Sequence, residues 1–452
     1  MGPGLVGVGC VGVTESNSRV ARGPPRSRAE DARTPPTAGI TAAPLKHLFV
    51  WVHLPDGTFK LAGELATTDP IAGGRFSAEF EYSRDWGADS AAFALDPVSV
   101  PLQPPGQRYG SEQFHPPLSI FDDALPDDWG RGLLTRALRL KGLAPSPAEM
   151  LLRMQGAGTG ALLFTETGTI SPVPPTLQST ALSALLSAAQ DFERGTLDEN
   201  STFRKLLEGS SRVGGARPKA LVHDAKNEWI AKFPSPTRDG THDVVGLEAT
   251  CLELASRAGL IVPASRLQAV GRRRVLLVRR FDITPQGGRV HMISMRTLCK
   301  ERPGVFATAY SELARVIEKH SVAPAADVAT LFRHMTFNAA IGNVDDHLKN
   351  FWMLATSSGY RLAPAFDLLP DISGRMEHTL SFQYGFACPT REQLLTVASN
   401  WNVSRAPEIL DQVIEAVGRF AVTARRMKVR SDNSLEGVRA DVQRRLRLLG
   451  SM

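Results

Sequence analysis

The segment IGNVDDHLKN, residues 341–350, concentrates polar groups directly after an apolar stretch with helical spacing. Within it Asp345 can accept a proton, and Asn350, five residues later, can offer an amide oxygen. A second carboxylate, Asp367, follows a predicted hairpin formed by FWML and YRLA. Mg²⁺ prefers oxygen ligands, so Asn350 and Asp367 suit a magnesium site, while Asp345 suits a general base. A solvated turn rich in Asn and Asp explains the same composition without any chemistry.

Protein kinases place a base Asp, an Asn five residues later and a second Asp beyond a hairpin in this order. They also need a strand lysine and a glycine-rich loop for the nucleotide phosphates. Lys232 lies in the short apolar segment EWIAKF, and Gly214 and Gly215 stand just before the preceding strand. Lys232 could simply protect an edge strand from pairing with another chain. Gly214 and Gly215 could form an ordinary Gly-Gly turn. Glu248, on the next predicted helix, is either an ion-pair partner of Lys232 or an exposed helical residue.

Hydrophobic spacing predicts the elements that would position these residues. Residues 47–65 predict a hairpin around an Asp-Gly turn, and RFSAEFEY (75–82) alternates as a half-buried strand does. Strand pairs are predicted at 219–233 and 264–281, and SPVPPTLQS (171–179) is typical of a linker. Helices are predicted at 126–142, 242–260, 305–345 and 395–450. The chain is therefore expected to adopt a mixed α/β fold, in which strands and helices are largely segregated along the chain (α+β).

Composition limits the classes of protein that the chain can belong to. Hydrophobic residues make up 42% and charged residues 22%, as in globular proteins, and no apolar run approaches the roughly 20 residues of a membrane span. The four cysteines are far apart and form no CxxC pair, which favours a reducing cytoplasm over a disulfide framework or a zinc site. The net charge of +6 lies largely in GRRRVLLVRR (271–280) and ARRMKVRS (424–431), and such clusters are more often solvated faces than nucleic-acid sites.

Several segments together resemble the HipA family of toxin-antitoxin serine/threonine kinases. They are GGARPKALV, WIAKFP, VLLVRRFD, FNAAIGNVDDHLKN and LAPAFDLLPD, and FDDALPDDWGRGLL (121–134) is similar to the family's amino-terminal subdomain. The resemblance implies a protein-kinase-like bilobal fold with an appended amino-terminal β-rich subdomain and a helical C-terminal lobe. The implied divisions are a disordered tail (1–45), the amino-terminal subdomain (46–170), a kinase N-lobe with ATP-binding elements (171–300) and a helical C-lobe with the catalytic loop (301–452).

The resemblance also implies a role for individual residues. Asp345 would be the catalytic base, and Asn350 and Asp367 would hold Mg²⁺. Lys232 and His347 would act at the ATP phosphates, and Gly214 and Gly215 would form the phosphate loop. Arg279 and Phe281 would offer hinge backbone groups to adenine. Family members phosphorylate a serine of the glycine-rich loop in their own chain. The candidates here are Ser210 and Ser211, and Arg212 stands near the family's serine position.

The implied activity is transfer of the ATP γ-phosphate to a serine or threonine of a protein, with an aminoacyl-tRNA synthetase or another translation factor as candidate target. The implied partner is a small helix-turn-helix antitoxin, through which any contact with DNA would be indirect, and the implied location is the cytoplasm, with no membrane. Two alternatives stay open: a small-molecule or lipid kinase, whose loops share D-D-H-x-x-N, and a catalytically inactive antitoxin-binding co-repressor. The intact Lys232, Asp345, Asn350 and Asp367 argue against the co-repressor.

Overall fold

The computed structural model describes residues 45–450 apart from 72–74, 105, 111–117, 139–145, 155–157, 171–175, 198–205, 208, 210–215, 301–307 and 431. Within these residues the chain forms three β-sheets in sequence order, and the two longest helices lie in its last third. Some predictions lie outside the described residues: the tail up to residue 44, the loop glycines Gly214 and Gly215, and the candidate serines Ser210 and Ser211.

The first sheet has the strand order β4-β3-β2-β1-β5, and four helices lie between its strands in the sequence. Its strands are β1 (Lys46–His53), β2 (Phe59–Thr67), β3 (Ala78–Tyr82), β4 (Arg108–Gly110) and β5 (Leu162–Thr165), and its helices are α1 (Arg84–Ala88), α2 (Ser119–Asp123), α3 (Asp128–Ala137) and α4 (Pro147–Met154). The hairpin predicted at 47–65 is confirmed as β1 and β2. The strand predicted at 75–82 begins only at Ala78, and its alternate residues Ala78, Phe80 and Tyr82 are buried as the pattern requires.

The second sheet has the order β6-β7-β8-β10-β9. It comprises β6 (Leu177–Gln178), β7 (Lys219–His223), β8 (Glu228–Lys232), β9 (Ser265–Val270) and β10 (Arg273–Arg279), together with α5 (Leu182–Glu193) and α6 (Val244–Arg257). Along β10 the side chains alternate between two cores, with Val275 and Leu277 in the core that contains α5 and Leu276 and Val278 in the core that contains α6. The linker predicted at 171–179 is wrong at its end, because β6 pairs in parallel with β7 and is therefore part of the sheet.

The third sheet joins β11 (Met292–Ser294) to the hairpin β12 (Trp352–Thr356) and β13 (Gly359–Leu362). The helices of this region are α7 (Met295–Leu298), α8 (Tyr310–His320), α9 (Pro324–Ile341), α10 (Arg391–Asn400), α11 (Ala406–Gly418), α12 (Phe420–Arg426) and α13 (Asn433–Gly450). Helix α9 begins with Pro324, whose fixed φ suits a first turn, and is capped after Ile341 by Gly342, with φ 76°. That left-handed residue turns the chain out of the helix and into the polar segment 343–350.

One hydrophobic core runs from the first sheet through α6 and α9 to the last helix, and includes Leu48, Phe80, Leu254, Leu331 and Leu449. The predicted α/β fold, with a β-rich amino-terminal region and a helical C-terminal region, is confirmed. Among the described residues, no helix combines the length and the apolar character that crossing a bilayer would require.

Candidate active site

A cavity of about 480 Å³ lies where β8, β10 and the polar segment after α9 meet the chain that leaves β13. This volume falls in the range of sites for nucleotide-sized ligands. The cavity is lined by each predicted site residue that the structure describes: Lys232, Arg279, Phe281, Asp345, His347, Asn350 and Asp367. Residues that are up to 135 positions apart in the sequence therefore face one space.

Lys232 is the last residue of β8 and lies between two carboxylates. Its Nζ donates to Asp367 Oδ1 at 2.7 Å and also pairs with Glu248 on α6, so the pairing considered from the sequence is present. The Lys232 side chain is only 13% exposed. Burial alone would lower the pKa of Lys232, but Asp367 and Glu248 outweigh burial and hold the pKa above its usual value. The ammonium group is therefore charged and fixed in direction before any ligand enters.

Asp367 follows β13 and has a left-handed backbone, with φ 56°. Such a conformation is uncommon for residues other than glycine, and Asp and Asn tolerate it best. Burial would raise the pKa of Asp367, but the positive charges of Lys232 and Lys219 hold the pKa well below its usual range. A strained backbone that presents an ionised carboxylate to a cavity is typical of a functional position.

Asp345 and Asn350 lie at two ends of the same short loop. The side chain of Asp345 is 63% exposed at the cavity, with Arg375 Nη2 3.5 Å from its Oδ1. Asn350 is buried, and its Nδ2 donates to the backbone oxygen of Asp345 at 2.7 Å. Because the amide nitrogen is used there, the amide oxygen is the end of the group that can serve a ligand. Half-buried His347 stands between them, at the start of the single turn Leu348–Asn350.

The neighbouring carboxylate, Asp346, has a different environment from Asp345. It is fully buried and accepts hydrogen bonds from Tyr310 Oη at 2.6 Å and from the backbone nitrogens of Thr379 and Leu380 at 2.8 Å and 3.3 Å. The ring of His378 is a further partner of Asp346, with Nδ1 3.0 Å from Asp346 Oδ2. Asp346 therefore anchors the loop in the core, while Asp345 faces the cavity.

The far side of the His378 ring contacts the last helix. Arg445 Nη1 lies 3.1 Å from His378 Nε2, and Arg445 Nε donates to Asp441 at 2.6 Å. A guanidinium only donates, so Nε2 of His378 must accept and the ring proton lies on Nδ1, directed at Asp346. No local sequence pattern reveals this chain of contacts, because its members are separated by 32 and 67 residues.

The predicted hinge is only partly available to a ligand. The backbone nitrogen of Arg279 donates to Ala264 at 2.8 Å, so an adenine contact from Arg279 would have to use its carbonyl oxygen. The rings of Phe281 and Phe366 lie 5.9 Å apart, and both residues line the cavity as an apolar surface suited to a flat base.

Two contacts join the amino-terminal region to the cavity and were not foreseen from the sequence. Lys349, inside the polar loop, pairs with Asp127. Arg280, next to the hinge, is buried and donates to the backbone oxygen of Gly158 at 3.0 Å and to Asp282 at 2.6 Å. The only feature of the sequence that pointed to these contacts was the acidic stretch FDDALPDDWG. The resemblance implied a place for this stretch in the amino-terminal subdomain and not at the site.

The donor set at the cavity suits magnesium. One carboxylate, on Asp367, and one amide oxygen, on Asn350, are the hard ligands that Mg²⁺ takes alongside water and phosphate oxygens. Across the part of the chain that the structure describes, no group of three or more His, Cys, Asp or Glu residues is arranged to hold a metal ion alone. A site that is completed by the nucleotide phosphates is compatible with that finding.

Comparisons with known proteins give a consistent result. Residues 54–165 match the HipA N-terminal domain and residues 211–422 match the HipA-like C-terminal domain, so the two matches together cover more than half of the chain. The predicted kinase Y4mE of Sinorhizobium fredii (strain NBRC 101917 / NGR234) is 25% identical over 378 residues, which are 75% of this chain and 86% of that protein. Y4dM, another predicted kinase of that strain, is 27% identical over 326 residues, with coverages of 67% and 75%.

The fold has a counterpart among solved structures. The complex of Shewanella oneidensis MR-1 HipA, HipB and operator DNA contains a chain that superposes with a TM-score of 0.63. The sequences are 21% identical, and the superposition covers 88% of this chain and 95% of the other. The chain described here belongs to the HipA family of serine/threonine kinases.

Proposed function

We propose that this protein is a HipA-type toxin that phosphorylates a serine or threonine of a protein and is neutralised by a small helix-turn-helix antitoxin. The observation that supports the kinase site best is the convergence of Lys232, Asp345, Asn350 and Asp367 on one cavity. Their separate positions in the sequence make chance assembly a poor explanation. We also propose the domain limits 46–170, 171–300 and 301–452, with the cavity bordered by residues from all three.

In the proposed reaction Asp345 accepts the proton of the substrate hydroxyl as the hydroxyl oxygen bonds to the γ-phosphorus of ATP. The bond from that phosphorus to the β–γ bridging oxygen breaks, and ADP leaves. Lys232 would contact the phosphates, with Glu248 holding its ammonium group in place. Asn350 and Asp367 would hold Mg²⁺, which offsets the charge of the transferring phosphoryl group.

The exposure of Asp345 favours a protein substrate over a small molecule. Sites for small ligands usually bury 70–90% of the ligand surface, whereas Asp345 is 63% exposed at the rim. A hydroxyl on a protein loop can reach such a position. By analogy with the Shewanella complex, whose components are HipA, HipB and operator DNA, the partner would be a HipB-like antitoxin and any DNA contact would be indirect. An aminoacyl-tRNA synthetase is our candidate target.

Phosphoproteomics of cells that express the chain or its Asp345→Asn variant tests this function. We expect new phosphoserine or phosphothreonine sites on one or a few proteins, present only with the unmodified chain. The same samples report on the proposed self-phosphorylation of Ser210 and Ser211. Phosphate that accumulates only in lipids or metabolites would instead support the alternative kinase, and no transfer to any acceptor would support the inactive co-repressor.

The proposed metal site predicts a metal-dependent effect of Asp367→Asn. Asn tolerates the left-handed backbone at this position, so the change removes the charge without adding strain. With Mg²⁺ present we expect ATP affinity to fall about 10- to 100-fold, comparable to losses seen when a metal site is disturbed. With EDTA the affinity should be unchanged or slightly higher, because a negative charge beside the phosphates is gone. An equal loss in both titrations would show that Asp367 supports the fold or the phosphates directly.

A further inference from the structure

Lys349 joins the polar loop to the amino-terminal region of the chain. It is the middle residue of the turn Leu348–Asn350, whose last residue is one of the two proposed magnesium ligands. The Lys349 side chain is 18% exposed, pairs with Asp127, and has its Nζ 3.9 Å from Asp122 Oδ2. Both carboxylates belong to the acidic segment (122–127), which ends α2 and leads into α3. The two residues of the Asp127 pair are 222 positions apart in the sequence.

The acidic segment makes a second contact close to the same turn. Asp123 accepts hydrogen bonds from the backbone nitrogen of Ser294 at 2.9 Å and from its Oγ at 2.7 Å. Ser294 is the N-cap of α7, and the backbone nitrogen of the next residue, Met295, donates to the oxygen of Phe351 at 2.8 Å. Phe351 directly follows Asn350. The acidic segment is therefore attached on both sides of Asn350, through the lysine before it and through α7 after it.

The contact with Lys349 is an ion pair between charged groups. Burial would raise the pKa of Asp122, but Arg131, Lys349 and Arg296 hold the pKa well below its usual range. Burial would likewise raise the pKa of Asp127, and the charge of Lys349 outweighs burial and lowers the pKa. Solvent and salt screen partly buried pairs less than exposed ones. The amino-terminal region therefore holds the Lys349 ammonium in place before any ligand enters.

The backbone of Lys349 is connected to both functional residues of the loop. Its carbonyl oxygen accepts from Trp352 Nε1 at 2.7 Å, and the side-chain amide of the next residue, Asn350, donates to the backbone oxygen of Asp345 at 2.7 Å. A shift of the turn would therefore move the proposed metal ligand directly and the proposed base through that hydrogen bond. Misplacing a catalytic group by about 1 Å can lower a rate by about 10²-fold.

We propose that Lys349 is a positioning residue for phosphate transfer, whose ion pairs with the acidic segment hold the turn Leu348–Asn350 in the geometry that catalysis requires. This inference rests on the proposed kinase roles of Asp345 and Asn350, and it assigns a function to the amino-terminal region. Because its ammonium is engaged by Asp127, Lys349 acts through its neighbours and not by contact with ATP. Its removal should lower the rate of transfer without lowering the affinity for metal-free ATP.

The test compares Lys349→Met, Asp127→Asn and the double variant in single-turnover transfer at saturating ATP and Mg²⁺, with the acceptor that phosphoproteomics identifies. We expect each single change to slow transfer about 10- to 100-fold, the effect of a small misplacement of catalytic groups. The double variant should be about as slow as Lys349→Met alone, because both changes break the same pair. Lys349→Arg keeps the charge and should recover part of the rate. ATP affinity in EDTA should stay within about twofold in every variant.

Lys60→Met is the matched control. Lys60 also lies in the amino-terminal region and pairs with one carboxylate, Asp89, but it does not line the cavity. This variant should transfer phosphate at the unmodified rate. The comparison separates the contact with the turn from a general loss of an ion pair in the same region.

The indole N–H of Trp352 gives a readout that does not depend on transfer. Its nitrogen resonance in protein labelled with ¹⁵N-tryptophan, assigned through Trp352→Phe, reports the hydrogen bond to the Lys349 carbonyl. We expect this resonance to shift in the same direction in Lys349→Met and Asp127→Asn and to stay unchanged in Lys60→Met. If the unmodified chain transferred no phosphate, the proposed function would be wrong, and the resonance would still decide whether the pair holds the turn.

Three results would overturn the proposal. An unchanged Trp352 resonance in both variants would show that the pair does not hold the turn. Losses of rate that multiply in the double variant would show that Lys349 and Asp127 act independently. A fall in ATP affinity in EDTA as large as the loss of rate would make Lys349 a direct nucleotide contact. Slower transfer and a shifted resonance, with unchanged affinity for metal-free ATP, support the inference.

Discussion

Replacing Asp345 with Asn is expected to lower the rate of phosphate transfer by about 10²–10⁴-fold, the usual contribution of a general base. The amide keeps the shape of the side chain but cannot accept the proton of the substrate hydroxyl. ATP affinity should stay near that of the unmodified chain, because Asp345 lies at the rim and its side chain is 63% exposed. The measurement is a single-turnover assay at saturating ATP, together with an ATP titration.

Asp411→Asn is a matched control for this prediction. The Asp411 side chain is equally exposed, at 63%, and likewise pairs with one arginine, Arg391, but it lies on α11 and does not line the cavity. Both variants should keep their free energy of unfolding within about 0.5 kcal/mol, as is usual for surface substitutions. If Asp345→Asn transferred phosphate at the unmodified rate, the assignment of the base would be wrong.

Much of the fold and of the site can be predicted from local sequence. The hairpin β7–β8, helix α6 with its cap Asp243, and the hairpin β12–β13 all follow from short-range periodicity and turn residues. The spacing from Asp345 to Asn350 is also local, since one loop carries both. These elements are predictable because each is specified by residues that are close together in the chain.

The different environments of Asp345, which faces the cavity, and Asp346, which is buried in the core, could not be predicted from local sequence. The two residues are adjacent and chemically identical, and only the tertiary partners of Asp346, including Tyr310 and His378, distinguish them. The complete burial of Asp346 argues against a role as the base. Lys349 is a similar case, because its partner Asp127 comes from a distant region.

The environment of Lys219 could be predicted in part from the sequence. The predicted hairpin implied a pairing of 219–224 with 228–233, and a short turn between them brings Lys219 opposite Lys232. The register of β7 and β8 could therefore be predicted from the sequence. The burial of Lys219 depends on tertiary packing, which the pattern does not specify.

Replacing Asp346 with Asn is expected to destabilise the protein, in contrast to the same change at Asp345. Oδ1 of Asp346 accepts from two backbone nitrogens, those of Thr379 and Leu380, so the amide oxygen of an Asn must stay there. The amide nitrogen then faces His378 Nδ1, which is also a donor because Arg445 holds the other ring nitrogen as an acceptor. Two donors that face each other in a fully buried position should lower the free energy of unfolding by about 3 kcal/mol. Urea unfolding measures this loss.

A double-mutant cycle tests the cause of that loss. In an Arg445→Gln background no guanidinium fixes the ring, so His378 can move its proton to Nε2 and accept from the amide of Asp346→Asn through Nδ1. The change at position 346 should then cost less, with a coupling of about 1–3 kcal/mol between the two sites, in the range found for residues of one network. The rate of phosphate transfer should depend on these changes only through stability. Each variant, assayed well below its unfolding midpoint, should transfer phosphate at a rate near that of the unmodified chain, unlike Asp345→Asn. Strictly additive losses would show that Arg445 does not fix the proton of His378, and that the anchoring of the loop by Asp346 is independent of the last helix.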